Sequence, residues 1–219
     1  MALCAPSLLA ADFLHLDDAV SLVNSYADIF HLDIMDGVFV PNISFGFPVV
    51  EAVAGKAEKP LDVHLMIVHP EKYVERFAKA GAGMISFHEE EAVKEGNDPG
   101  EILASIRSCG AKAGLAINPD IPVEKLFPLL DRLDYVLIMS VYAGFGGQKF
   151  IPESLERIRS VKAEILRQGL SVKIEVDGGV NVSNAKSIMD AGADILVAGS
   201  AVFKSDDPES TVRLIKGCN

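Results

Sequence analysis

His31 and Asp33 stand two residues apart in His31-Leu32-Asp33-Ile34-Met35-Asp36-Gly37, at the end of an apolar run. Side chains alternate across a strand with period two, so His31, Asp33 and Met35 share one face and Leu32 and Ile34 the other. An imidazole and a carboxylate placed in this way make half of a metal site. Leu61-Asp62-Val63-His64-Leu65-Met66 repeats the arrangement, with Asp62, His64 and Met66 on one face. A third such stretch carries Glu175 and Asp177 on one face, immediately before Gly178-Gly179. Each residue taken singly fits a polar strand end. Together, His31, Asp33, His64 and Asp177 form a two-histidine, two-carboxylate set suited to one divalent ion. Zn²⁺ stands first among the expectations, with Fe²⁺, Mn²⁺ and Co²⁺ open, because ligand type alone does not choose among them.

Two further features suit chemistry at such a centre. Met35, Met66 and Met139 fall at strand ends. Methionine often does no more than fill a core; beside a metal, its soft sulfur lines a water-poor pocket that protects a reactive carbanion. Ala143-Gly144-Phe145-Gly146-Gly147-Gln148 is too glycine-rich for an ordinary connector. Its backbone N–H groups could approach an anion closely, as could those of Gly178-Gly179 and Gly199-Ser200.

The elements that must position these residues alternate from end to end. Short β-rich runs are expected at 3–5, 29–34, 61–66, 84–87, 112–117, 135–139, 173–176 and 195–198. Amphipathic helical stretches follow at about 12–25, 48–57, 70–80, 99–108, 123–130, 152–168, 182–191 and 208–216. The first of these is expected to place Leu14, Leu16, Val20 and Val23 on or near one side. Repeated strand–helix alternation requires a parallel sheet, and eight units fit a closed (β/α)8 barrel. A doubly wound sheet competes, but no Gly-x-Gly-x-x-Gly follows the first strand. With no linker in view, residues 1–219 are expected to form a single domain. Barrels of this kind gather their sites at the C-terminal strand ends and bind phosphate after strands seven and eight, where the two short glycine motifs fall. A helix N-terminus after Gly199 would add its dipole.

Composition narrows the class. The 219 residues are 49% hydrophobic, which allows a sizeable core, and the formal charge of −11 argues against nucleic acid or an anionic membrane as partner. No apolar stretch approaches the roughly 18 residues of a spanning helix, and no signal peptide is apparent. Cys4, Cys109 and Cys218 are too few and scattered for a disulfide framework or a thiolate metal site. A reduced, cytoplasmic enzyme is the default. His88 and Glu90 read as a shell behind the site or as a structural pair; His15 and His69 read as surface or packing residues. Glu89-Glu90-Glu91 reads as a solvated acidic rim, and Glu175 points into the barrel with no evident partner.

The chain resembles the ribulose-phosphate 3-epimerase family over nearly its whole length. The opening Ala5-Pro6-Ser7-Leu8-Leu9-Ala10-Ala11-Asp12-Phe13 is similar to the family's first motif. Residues 31–37 with Phe39-Val40-Pro41-Asn42 match its second-strand signature. Residues 61–66, Phe87-His88-x-Glu90, 144–148, 175–179 and 198–203 match further blocks. The resemblance implies that His31, Asp33, His64 and Asp177 bind the metal, and that Asp33 and Asp177 move the protons. It implies substrate contacts for Ser7, His64, Gly144, Phe145, Gly146, Gly147, Gly178, Gly179, Gly199 and Ser200. It also implies a phosphosugar partner and a homo-oligomer.

The expected reaction is inversion at C3 of a ketose phosphate, D-ribulose 5-phosphate to D-xylulose 5-phosphate, as in the pentose phosphate pathway. Two carboxylates on opposite sides of the carbon act as base and acid, and the metal stabilises the enediolate. Tyr142-Ala143 stands where the family usually has Asn-Pro, and Val38 where it usually has His. These departures leave D-allulose 6-phosphate open as a substrate; a non-catalytic phosphosugar-binding barrel is the rival from another class. Decarboxylases and hexulose-phosphate synthases of similar shape carry Asp-x-Lys-x-x-Asp on strand three, which has no lysine here.

Overall fold

The computed structural model describes residues 1–217, so Cys218 lies outside the described residues. Eight strands alternate with helices: β1 (Leu3–Ala5), α1 (Leu16–Tyr26), β2 (Phe30–Met35), α2 (Phe47–Ala54), β3 (Leu61–Met66), α3 (Val74–Lys79) and β4 (Ala82–His88). They continue through α4 (Glu89–Lys94), α5 (Pro99–Ser108), β5 (Lys112–Ile117), a 3₁₀ segment (Val123–Arg132), β6 (Tyr135–Met139) and α6 (Ser154–Arg167). The last elements are β7 (Lys173–Asp177), α7 (Ala185–Ala191), β8 (Ile195–Val197), α8 (Ser200–Phe203) and α9 (Pro208–Ile215).

All strands run parallel in the order β1-β8-β7-β6-β5-β4-β3-β2. A parallel bridge between Ser7 and His31 joins the exit of β1 to β2, and the His31 N–H donates to the Pro6 carbonyl at 3.2 Å. The sheet is thereby nearly closed into a barrel. Strands of such a barrel are covered on both faces and read as almost continuous apolar runs; every residue of β2, β3 and β6 is buried. The outward residues Leu32, Val63, Leu65, Ile174 and Val176 belong to the core beneath the helices.

The opposite end of the barrel is clamped by aspartates that precede strands. Asp28 accepts from the Cys4 N–H at 2.9 Å, Asp134 from Ala113 at 2.8 Å and Asp194 from Ile174 at 3.0 Å. Each ties the start of one strand to its neighbour, and Lys216 adds an ion pair to Asp28 at 2.8 Å.

Several expectations are corrected. The stretch from Asp12 begins as a 3₁₀ turn capped by Asp12, so the first helix starts at Leu16 and Leu14 is left 89% exposed. The acidic triplet is not a solvated rim. It forms the first turn of α4, where acidic residues suit the helix dipole; Glu89 and Glu91 are buried, each 3.2 Å from a lysine, Lys125 and Lys94. The helix after Gly199 is a four-residue turn, so its dipole is small beside that of a full helix. Cys4 and Cys109 are both free thiols.

Candidate active site

The inward faces of β2, β3 and β7 place their polar residues together because register aligns them. His31 pairs with Asp62, Asp33 with His64, and Met35 with Met66; across the barrel, Asp177 pairs with Met139. The ligand atoms of His31, Asp33, His64 and Asp177 lie within 4.8 Å of one another. Both histidines are fully buried, Asp33 is nearly so, and Asp177 is half-buried.

Asp33 and His31 are held from behind. Ser7 donates its hydroxyl to Asp33 Oδ2 at 2.5 Å while accepting the Leu9 N–H at 3.3 Å, so its direction is settled. His31 Nδ1 lies 2.7 Å from Asp62 Oδ2, and the Tyr135 hydroxyl donates to the other Asp62 oxygen at 2.6 Å. Asp62 therefore accepts a hydrogen bond from Nδ1–H and turns the Nε2 lone pair towards Asp33 and Asp177, the usual way a carboxylate orients a metal-binding histidine. Tyr135 fits inside the barrel because Gly114 stands under its ring, where any Cβ would collide with it.

The donor set fits a divalent cation on one specific observation. His31 Nε2 is buried without a hydrogen-bond partner, although Asp33 Oδ1 is only 3.3 Å away. A buried ring nitrogen with no partner is costly unless something else occupies it. His64 Nδ1 faces the same point, 3.2 Å from Asp33 and 4.0 Å from Asp177. Burial outweighs the hydrogen bond that Asp33 accepts and takes His64 down to about 4, so it is neutral, as a ligand must be.

The two aspartates differ in their protonation. Burial alone would raise Asp33, but the neighbouring imidazoles of His31 and His64 hold it well below the usual carboxylate range. Asp177 is pushed up to about 7, by burial and then by the Asp33 charge. One carboxylate is thus ionised and the other readily protonated, from strands β2 and β7 that lie three places apart through β8 and β1.

Above them opens a cavity of about 240 Å³. Asp33, Asp177, the three methionines, Ser7, residues 144–147, Gly178, Gly179, Gly199 and Ser200 all lie on its wall, whereas His31 and His64 lie beneath it. Gly179 has φ +67°, and a Cβ there would strike the Phe150 backbone, so glycine is required at that turn. Tyr142, Ala143, Gln148 and Asn181 also line the cavity, while Val38 is 70% exposed away from its wall. Sequence reasoning missed Asn118, which follows β5 and accepts the Ala143 N–H at 2.9 Å. Its signal was available: a polar residue just past an apolar strand, as at the other site positions. Asp62, Tyr135 and Glu175 form a second, sealed cluster that local patterns did not assemble.

A profile of the Ribulose-phosphate 3 epimerase family matches residues 3–203. The chain is 48% identical over 204 residues to a ribulose-phosphate 3-epimerase of Synechocystis, covering 92% of this chain and 87% of that one. It is 45% identical to the enzyme of that name from Bacillus subtilis, covering 97% of both. The fold is similar to 3-hexulose-6-phosphate synthase from Salmonella typhimurium, with a TM-score of 0.69, 17% identity and coverage of 98% and 97%. It is likewise similar to a mutant tryptophan synthase α-subunit from Pyrococcus furiosus, with a TM-score of 0.72, 16% identity and coverage of 98% for both chains. At those identities the two solved structures speak for the barrel alone.

Proposed function

Because the chain belongs to the ribulose-phosphate 3-epimerase family, an isomerase family, we propose that it interconverts D-ribulose 5-phosphate and D-xylulose 5-phosphate. The observation that carries this reading is the pair Asp33 and Asp177. Both face one cavity from well-separated strands, with one ionised and the other close to neutral protonation.

Epimerisation at C3 removes a proton beside a carbonyl and returns one to the opposite face. In one direction Asp33 takes the proton and Asp177 delivers the other; the roles exchange in reverse. General acid–base catalysis of this kind contributes on the order of 10²–10⁴-fold. His31 through Nε2, His64 through Nδ1, Asp33 and Asp177 would hold one divalent cation, Zn²⁺ first among the expected ions. When bound, that ion supplies Lewis-acid stabilisation for negative charge developing on substrate oxygens. Backbone N–H groups of Gly178, Gly179, Gly199 and Ser200 hold the phosphate, and the three methionines keep the reacting carbon from water. The loop from Tyr142 to Lys149 closes over the bound sugar. The whole chain works as one barrel domain, as a cytoplasmic homo-oligomer; a monomer mass by light scattering would correct the last point.

The test is a coupled assay with ribulose 5-phosphate and, in parallel, allulose 6-phosphate. Turnover of the pentulose supports the proposal. Preference for the hexulose would reassign the substrate, with Tyr142 and Ala143 on the cavity wall as the responsible residues. No turnover of either by metal-replete protein would favour a binding barrel.

A further inference from the structure

His64 is joined on its far side to a chain of buried polar groups that ends at the glycine-rich loop. Its Nε2 lies 2.9 Å from His88 Nε2, and His88 Nδ1 lies 2.8 Å from Glu90 Oε1. The same Glu90 oxygen accepts from the Asn118 side-chain amide at 2.7 Å and from its backbone N–H at 3.3 Å. Asn118 Oδ1 then accepts the Ala143 N–H at 2.9 Å. The Phe39 ring lies 4.8 Å from that of His88 and covers it.

The donors in this chain can be ordered. Two imidazole nitrogens 2.9 Å apart share one proton, so one donates and the other accepts. A cation on His64 Nδ1 leaves the proton on Nε2, so His88 Nε2 must be the acceptor. His88 then carries its proton on Nδ1 and donates it to Glu90. Glu90, receiving donors from two residues at one oxygen, serves as an ionised carboxylate. That in turn orients the Asn118 amide, with its nitrogen towards Glu90 and its oxygen towards the loop.

Resting on the metal reading above, we infer that Glu90 and Asn118 are positioning residues: Glu90 sets the His64 tautomer through His88, and Asn118 ties the loop to the same chain. A clamp between the ends of β4 and β5 alone would need only the Glu90–Asn118 bonds. It would not require a buried histidine pair leading to the site. Outer groups that orient a metal-binding histidine typically govern 10–100-fold in metal affinity.

The experiment titrates the purified full chain with Co²⁺, read by its visible absorption, for wild type, His64→Ala, Glu90→Gln and Asn118→Ala. Hydrogen exchange over residues 142–144 is followed with and without Co²⁺. Glu90→Gln should weaken Co²⁺ binding by about 10–100-fold and alter its absorption band, while circular dichroism stays that of wild type. Co²⁺ should slow exchange at 142–144 in wild type and not in Asn118→Ala. The latter comparison stands even if Glu90→Gln fails to fold. Glu90→Gln affinity within twofold of wild type, or equal Co²⁺ protection of the loop in Asn118→Ala, would overturn the inference. If His64→Ala binds Co²⁺ as tightly as wild type, the metal reading itself falls and this inference with it.

Discussion

The barrel interior holds two layers built from the same materials, and they share His31. The upper layer sets His31 Nε2 beside Asp33, His64 and Asp177; the lower sets His31 Nδ1 beside Asp62 and Glu175. In each, the ligand atoms lie within 4.8 Å of one another. They differ in what surrounds them. Asp62 is saturated by His31 and by the Tyr135 hydroxyl, and the Tyr135 ring fills the space over Gly114. Burial, and then the charge of Asp62, push Glu175 up to about 8, so that layer stays partly protonated and sealed. Both layers keep unpartnered buried atoms, His31 Nε2 above and the two Glu175 oxygens below, but the upper layer alone opens to the cavity. Residue type alone therefore does not mark a reactive site. An unfilled position with access to substrate does, and the sealed layer serves it by orienting the shared histidine.

The strongest way to break this contrast is at the upper carboxylates. Asp33→Asn and Asp177→Asn should each lower turnover by about 10²–10⁴-fold, with metal content measured alongside to separate lost ions from lost proton transfer. In deuterated water, product from the first turnover should carry deuterium at C3. Retained hydrogen would remove separate roles for the two aspartates even if both variants were inactive.

Asp62→Asn should have a smaller effect, about 10–100-fold in metal affinity, because it loosens the orientation of His31 without touching the cavity. Activity restored at high metal concentration would sharpen the distinction between the layers. A loss equal to that of Asp33→Asn that metal cannot restore would erase it.

The loop above the upper layer is tied to other segments by side chains near its start. Asn42 donates to the Gly144 carbonyl at 2.9 Å and Asn118 accepts from Ala143, whereas the Gln148 amide bonds only to carbonyls of the same loop, Tyr142 and Phe145. Gly144, at φ +125°, begins the segment that follows these anchors. Bound phosphosugar should slow exchange of amides 145–148 severalfold more than that of 142–144. Uniform or absent protection would argue against closure of the tip.

The mildest perturbation is Glu175→Gln, expected to change turnover less than twofold. Its consequence lies in stability. Glu175 is raised from 4.5 to about 8 in the folded chain, so its proton favours folding below about 4.5 and that contribution is lost as pH rises through about 8. Asp177 contributes in the same sense between 3.8 and about 7 in metal-free protein. The amide cannot ionise, so the melting temperature of metal-free Glu175→Gln should fall less than that of wild type across this window. Parallel curves would mean that Glu175 is not held neutral.

The sequence by itself determined the barrel, the strands at 61–66, 112–117 and 135–139, the four converging ligand candidates and the glycine-rich wall. These rest on short-range regularities: period-two alternation, strand–helix succession, and polar residues at strand ends. Even there, local rules misjudged what neighbours supply. Leu14 followed the helical period yet lies before the helix, and Glu89 and Glu91 looked solvated until Lys125 and Lys94 were set beside them. Only the tertiary structure decided that Ser7 would meet Asp33, that Tyr135 would reach Asp62, and that Glu90 would join His88 to Asn118. Ser7 and Asp33 are 26 residues apart in the chain, and Tyr135 and Asp62 are 73 apart. No local periodicity carries the register of strands so far apart; closing the barrel sets it, and with it which carboxylate is sealed and which one faces the cavity.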